Sequence, residues 1–243
     1  MFETFPAKVI LQALKPYALS PVPNNRPGPK NSLVTSVIGL IRVPGLGLLT
    51  TSVTGPMNAA VVFRTWGLTK QEPSLQKQFY GPNFTYQEFE KTRNIFTGMI
   101  MHYGLIIGAT LLLFSPFRAL IRKFTFEPGE GPDKDEARKN RIEFRALARP
   151  DVEGMKKQVF GKMVYTGSMY YCKFHSSASV LGNEMLTDWV VTAALLAQGA
   201  ATILQDENVE LNGGVYTPSC LGQGYIDRLE GVGLHFETEI RDS

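Results

Sequence analysis

The chain has 243 residues, and its 25 Lys and Arg exceed its 22 Asp and Glu by only three. That length suits one large domain or two small ones, and the apolar fraction of 44% falls in the globular range. Basic and acidic residues are interspersed, so the dense positive run needed to neutralise a phosphate backbone is missing, and nucleic acid is excluded as an expected partner.

The opening "MFETFPAKVILQALKPY" puts Pro6 near its start and Val9, Ile10, Ala13 and Leu14 on one face. This predicts a short amphipathic helix and not a signal peptide. Cys172 and Cys220 match no metal spacing, and a reduced, cytosol-facing setting with buried thiols is the expectation. Five prolines between Pro16 and Pro29 predict an extended crossing. Short apolar runs broken by Gly and Pro follow, and the best element among them is a strand over Ala59 to Trp66, "AAVVFRTW".

Asn94 to Phe117, "NIFTGMIMHYGLIIGATLLLFSPF", holds no Asp, Glu, Lys or Arg in its 24 residues. As one helix it would reach about 36 Å, against a hydrocarbon core of about 30 Å. Met99, Ile100, Leu105, Ile106, Leu111, Leu112, Leu113 and Phe114 would cover every side of that helix, which favours lipid. His102, Gly98, Gly104, Gly108 and Ser115-Pro116 dilute it, and Gly104 with Gly108 forms a GxxxG pair suited to close helix approach. Insertion into a lipid surface and burial against protein both remain open. In a membrane, His102 would be functional by default; in a core, a hydrogen-bonded histidine. Lys91 and Arg93 before the segment and Arg118, Arg122 and Lys123 after it leave its orientation open.

"FEPGEGPDKDEARKNRIEF" is a turn followed by a charged stretch and forms the clearest internal boundary. Its Asp133, Asp135 and Glu136 read as a solvated helix start. "IEFRALA" and "QVFGKMVYTG" are predicted strands, and "VVTAALLAQGAATILQ" a predicted helix rich in small residues. Near the end, Thr217 is the expected N-cap and Pro218 the first residue of a helix running to about Glu230, closed by Gly231 or Gly233. Leu234, Phe236 and Ile240 then alternate with His235, Glu237 and Glu239 as a half-buried strand.

Searching the residues for chemistry returns little. Gly45-Leu-Gly47, Gly129-Glu-Gly131 and Gly222-Gln-Gly224 do not complete a dinucleotide loop between a strand and a helix. His102, His175 and His235 have no ligand spacing, so no metal is expected, and no serine stands in G-x-S-x-G.

Together, "YGPNFTYQEF", the uncharged segment, "FEPGEGPDKDE", "AALLAQGAATIL" and "GGVYTPSCLGQGYIDRLEGVGLHFETEI" resemble the C-terminal half of the saccharopine dehydrogenase-like oxidoreductases, which also resemble trans-acting enoyl reductases. The resemblance implies a Rossmann domain with an NAD(P) loop, a second domain of mixed α and β structure, association with lipid droplets or membranes, and a role in lipid or glycolipid metabolism. The Rossmann half is absent from this chain, so no cofactor is expected in it, NAD(P) being implied for the full-length family. The expected partners are a lipid or membrane surface and either the missing Rossmann domain or further copies of this chain in a homo-oligomer. Gly213, Gly214, Thr217 and Pro218 match the family's terminus and are weak cleft candidates, read first as turn and cap. Residues 171–189 form an insert relative to the family, either a translated intron or a surface loop.

The expected organisation is α+β: a mixed or antiparallel sheet with packed helices plus one long apolar helix of membrane type. Residues 1–93 would open the second domain, 94–123 form the apolar helix with its basic flank, and 124–243 the C-terminal α+β portion. The expected function is the lipid-associated portion of an NAD(P)-dependent oxidoreductase, inactive alone, at a lipid-droplet, mitochondrial or endoplasmic-reticulum surface. The alternative is a non-catalytic lipid-surface or scaffold protein.

Overall fold

The structure is a computed structural model that describes residues 12, 15–24, 31–123, 139–152, 154–167, 191–207, 209 and 211–242. The expected N-terminal helix, the GEGP turn with its acidic cluster, the 171–189 insert, Cys172 and His175 lie outside the described residues. The chain divides into two units, one of Met1–Arg118 with Leu211–Cys220, the other of Ala119–Glu210 with Leu221–Ser243. The fold is α+β with two three-stranded sheets, and both are wholly antiparallel.

In the first unit, helix α1 (Leu33–Ile38) starts at Ser32, whose Oγ accepts from Thr35 N at 3.0 Å, and ends at Gly39 in the left-handed region (φ 72°). Strands β1 (Leu40–Val43) and β2 (Gly47–Thr51) form a hairpin, and β3 (Phe89–Lys91) pairs with the other edge of β2. Between β2 and β3 runs helix α2 (Gly55–Gln71), followed by a 3₁₀ turn over Pro73–Gln78.

The strand expected over Ala59 to Trp66 is therefore the middle of α2. Strand-type residues Val61, Val62 and Thr65 are overridden by packing. On a helix, Ala60, Phe63 and Gly67 fall on one face, and Phe63 and Trp66 enter an aromatic cluster with Tyr17, Phe79 and Phe84. Phe63 is 1% exposed. Trp66 Nε1 donates to Gly81 O at 2.8 Å, so the ring's one polar atom is satisfied.

Helix α3 (Ile95–Leu111) follows β3, and its N-cap Asn94 accepts from Thr97 N at 2.8 Å. It does not continue to Phe117. The chain turns by 112° into a separate helix α4 (Ser115–Arg122), and no single helix among the described residues is long and apolar enough to cross a membrane. Pro116 explains the break: it donates no backbone hydrogen bond and fits only the first turn of a new helix.

In the second unit, β4 (Arg141–Ala148), β5 (Lys157–Thr166) and β6 (Leu234–Asp242) form the sheet in chain order, matching the predicted strands. Its register places Ile142, Met163, Tyr165, Leu234 and Phe236 on one face. With α5 (Val191–Gln205) and α6 (Gly222–Glu230), that face forms the core around Tyr165, Val191, Tyr225, Leu229 and Leu234. The other face carries ion pairs such as Lys162 with Glu237 and Arg145 with Glu143.

The terminal helix is shorter than expected. Pro218–Leu221 is a 3₁₀ turn, and the α-helix begins at Gly222. Thr217 does not cap it through its side chain, because its hydroxyl bonds to Thr65 Oγ1 at 2.7 Å in the first unit.

Candidate functional site

Helix α3 gathers most of the residues that stood out in sequence, and its relation to the small sheet can be built atom by atom. Only Gly98 and His102, four residues and about one turn apart, are buried on it. They face a seam of hydroxyls unusual for a sheet interior: Thr50 is fully buried, and Ser52 and Thr92 nearly so. Thr50 Oγ1 lies 2.9 Å from both Gly39 O and Gly98 O, so its proton ties the end of α1 and the first turn of α3 to the same point of β2. Thr51 Oγ1 lies 2.8 Å from His102 Nδ1. The imidazole is thereby satisfied, as a histidine packed against protein requires.

Two glycines make this approach possible. A Cβ on Gly39 would stand 2.1 Å from the Cγ of His102, and one on Gly98 would stand 2.4 Å from Leu40. Gly39 also holds a left-handed backbone that other residues adopt at a cost. Beside this lock, Tyr103 OH donates to Val37 O at 2.9 Å and joins α1 to α3.

Away from that stripe the surface is apolar and uncovered. Phe96 is 79% exposed, Ile100 72% and Leu113 71%; Ile106, Leu111 and Phe114 are exposed too. Met99, Leu105 and Leu112 are half-buried, as is Gly108, while Gly104 is exposed. A Cβ at Gly104 or Gly108 would meet nothing within 4 Å, so the GxxxG face is open. Helix α1 adds Leu33 at 85% exposure with Val34 and Val37, and buries none of its residues. Contiguous exposed apolar surface of this kind marks an interaction site.

The cleft candidates near the C-terminus lie elsewhere in the first unit. Gly213, Gly214 and Pro218 are exposed, and only Thr217 is buried. The segment they belong to is held along α2, where Arg64 donates to Val215 O and Thr217 meets Thr65. Cys220 is buried there against Leu68 and Leu75.

Neither described glycine pair provides a dinucleotide cradle. Gly45 and Gly47 turn one strand into the next, with no helix terminus to face a phosphate. Gly222 does open α6, but the 3₁₀ turn Pro218–Leu221 precedes it where the fingerprint needs a strand, and a Cβ on Gly224 would lie 2.1 Å from the Asp206 carboxylate. Among the described residues no three His, Cys, Asp or Glu side chains gather into a metal site.

One polar cluster was not singled out in sequence. Glu88 accepts from Ser52, Thr54, Asn58 and Tyr86, all at 2.8–2.9 Å, at the N-terminus of α2. Partial burial pushes its carboxyl up, but the hydrogen bonds from Asn58, Tyr86, Ser52 and Thr54 outweigh this and hold it below the usual range. The Tyr86 phenol is raised, first by burial and then by its bond to Glu88 and that group's charge. With every partner engaged, this carboxylate anchors α2 and offers no free acid or base. Its only sequence signal was Ser52 and Thr54 just before Gly55-Pro56, a helix-start pattern.

No protein family, curated protein or solved structure matches the chain.

Proposed function

We propose that this chain is the lipid-docking, substrate-side portion of a saccharopine dehydrogenase-like, NAD(P)-dependent oxidoreductase, working at the surface of a lipid droplet or membrane on a lipid-type substrate. The family reading rests on the sequence resemblance. The lipid reading is supported by a single structural observation: α3 buries only Gly98 and His102 and leaves most of an uncharged helix exposed beside α1, which buries none of its residues. The hydride donor would be held by a Rossmann domain outside this chain, since the glycine turns described here do not fit it.

The test has two arms. The purified chain should float with liposomes on a density gradient while leaving NADPH fluorescence unchanged. Expressed together with a family Rossmann domain, it should form a complex that binds NADPH and oxidises it when lipid substrate is present. A chain that stays at the bottom of the gradient overturns the lipid reading. Flotation with no NADPH-binding complex overturns the oxidoreductase reading and favours a lipid-surface scaffold.

A further inference from the structure

The two halves of α3 differ in what they touch. From Gly98 to Tyr103 the helix is clamped to β1, β2 and α1 through Leu40, Thr51, Gly39 and Val37. From Gly104 to Leu111 the helix is largely uncovered, only Leu105 and Gly108 being half-buried, and its later carbonyls are met from within. Thr110 Oγ1 donates to Ile106 O at 2.8 Å. At the elbow between α3 and α4, Arg118 donates to Leu112 O at 3.2 Å, to Leu113 O at 3.0 Å and to Ser115 Oγ at 2.8 Å. In water such a clamp is optional, because solvent can also serve the last carbonyls of a helix. In hydrocarbon the need is absolute.

Resting on the lipid reading above, we propose that the α3–α4 elbow is a re-entrant wedge that enters one leaflet of an anionic phospholipid surface and leaves by the same face. Depth follows from length. The uncovered part of α3, Gly104 to Leu111, is about 12 Å long, near the half-thickness of a hydrocarbon core of about 30 Å. Just above, Gly98 to Tyr103 are seated on β1, β2 and α1, and the bulk of that sheet acts as the stop. The apex is Leu113 and Phe114, both strongly exposed. With each leg tilted about 34° from the membrane normal, the turn of 112° lets α4, whose eight residues span about 12 Å, climb back about 10 Å and carry Arg122 and Lys123 to headgroup level.

Charge selects the lipid. Between Lys91 and Lys123 the chain has five basic residues, Lys91, Arg93, Arg118, Arg122 and Lys123, and no acidic one. They stand before and after the apolar stretch, as an acidic headgroup layer requires. Arg118, the deepest of them, places its charge on the negative carbonyl end of α3.

The test uses the full chain carrying Cys172→Ser, with an environment-sensitive nitrobenzoxadiazole probe on a cysteine introduced by Leu113→Cys, or separately by Lys123→Cys. Vesicles are equimolar phosphatidylcholine and phosphatidylglycerol. The probe at 113 should be quenched by bromines placed mid-chain in the lipid. The probe at 123 should be bleached completely by dithionite added outside. Pure phosphatidylcholine should weaken flotation at least tenfold, and Phe114→Asp should abolish it while Phe114→Leu retains it. A probe at 123 protected inside the vesicle would mean a span and overturn the wedge while leaving lipid docking intact. A probe at 113 left unquenched on floating protein would also overturn the wedge. Equal flotation on neutral vesicles would overturn the anionic preference, and no flotation at all would sink the lipid reading with it.

Discussion

At the scale of single residues, the lock between Gly39 and His102 decides whether α3 can lie on its sheet. Gly39→Ala combines a left-handed alanine with a Cβ inside the imidazole, and should cost about 2–6 kcal/mol, strain and overpacking each supplying about 1–3. Urea denaturation checks it, and a double-mutant cycle with His102→Gly should recover the steric share. A Gly39→Ala protein as stable as the parent would mean that the ring does not occupy this place. Glu88 gives a pH signature. Its folded pKa lies below its unfolded one, so its contribution is present above the ordinary carboxylate pKa and fades as pH falls through the lowered folded value. Glu88→Gln should flatten that part of the stability profile between neutral and acid pH, measured by thermal unfolding. His102 was legible as an oddity because it interrupts an apolar run. Its partner was not: Thr51 lies 51 positions away, and nothing local in the sequence links the two.

For whole elements, the strands and helices of the second unit were readable because the pattern and the burial coincide. Leu234 and Phe236 face the core and Glu237 and Glu239 the other side, so the alternation in sequence is the alternation in space. Helix α2 was misread for a physical reason. Val61 and Val62 favour a strand locally, but the aromatic cluster rewards Phe63 and Trp66 only when they sit on helical spacing. Val61 is exposed on α2. Val61→Ala should therefore raise stability by about 0.5 kcal/mol, the helix-propensity difference, whereas in a strand it would lower it. The melting temperature decides the sign. The uncharged segment was legible in composition but not in shape, because Ser115-Pro116 was weighed as a dilution of hydrophobicity and not as a helix boundary. Arg118, seven positions beyond the end of α3, supplies the clamp that makes the boundary stable.

For the whole molecule, the first unit is closed by a segment that arrives late in the chain. Leu211–Cys220 returns to α2, where Arg64 holds Val215 and Thr65 meets Thr217, and Cys220 fills the gap between Leu68 and Leu75. In a protein carrying Cys172→Ser and Trp189→Phe, thiol labelling of Cys220 and the fluorescence of Trp66 should change at the same urea concentration, since both report one packed unit. Labelling that precedes the fluorescence change would mean that the return segment detaches by itself. This division was invisible in sequence, where the strongest boundary fell at the Pro and Gly turn after the apolar segment; the association of Leu211–Cys220 with α2 depends on contacts that no spacing announces.

That late closure sets an order on the ribosome. Residues up to Arg118 emerge as a nascent sheet and two apolar helices, and must wait for about a hundred further codons before the strap that completes their core is made. At common elongation rates the delay is roughly 5–20 s. Throughout it α1 and α3 are bare, and the underside of α2 is open as well, so the half-made protein is stickier than the finished one. A membrane or a chaperone waiting at the exit tunnel would meet this chain in its most adhesive form.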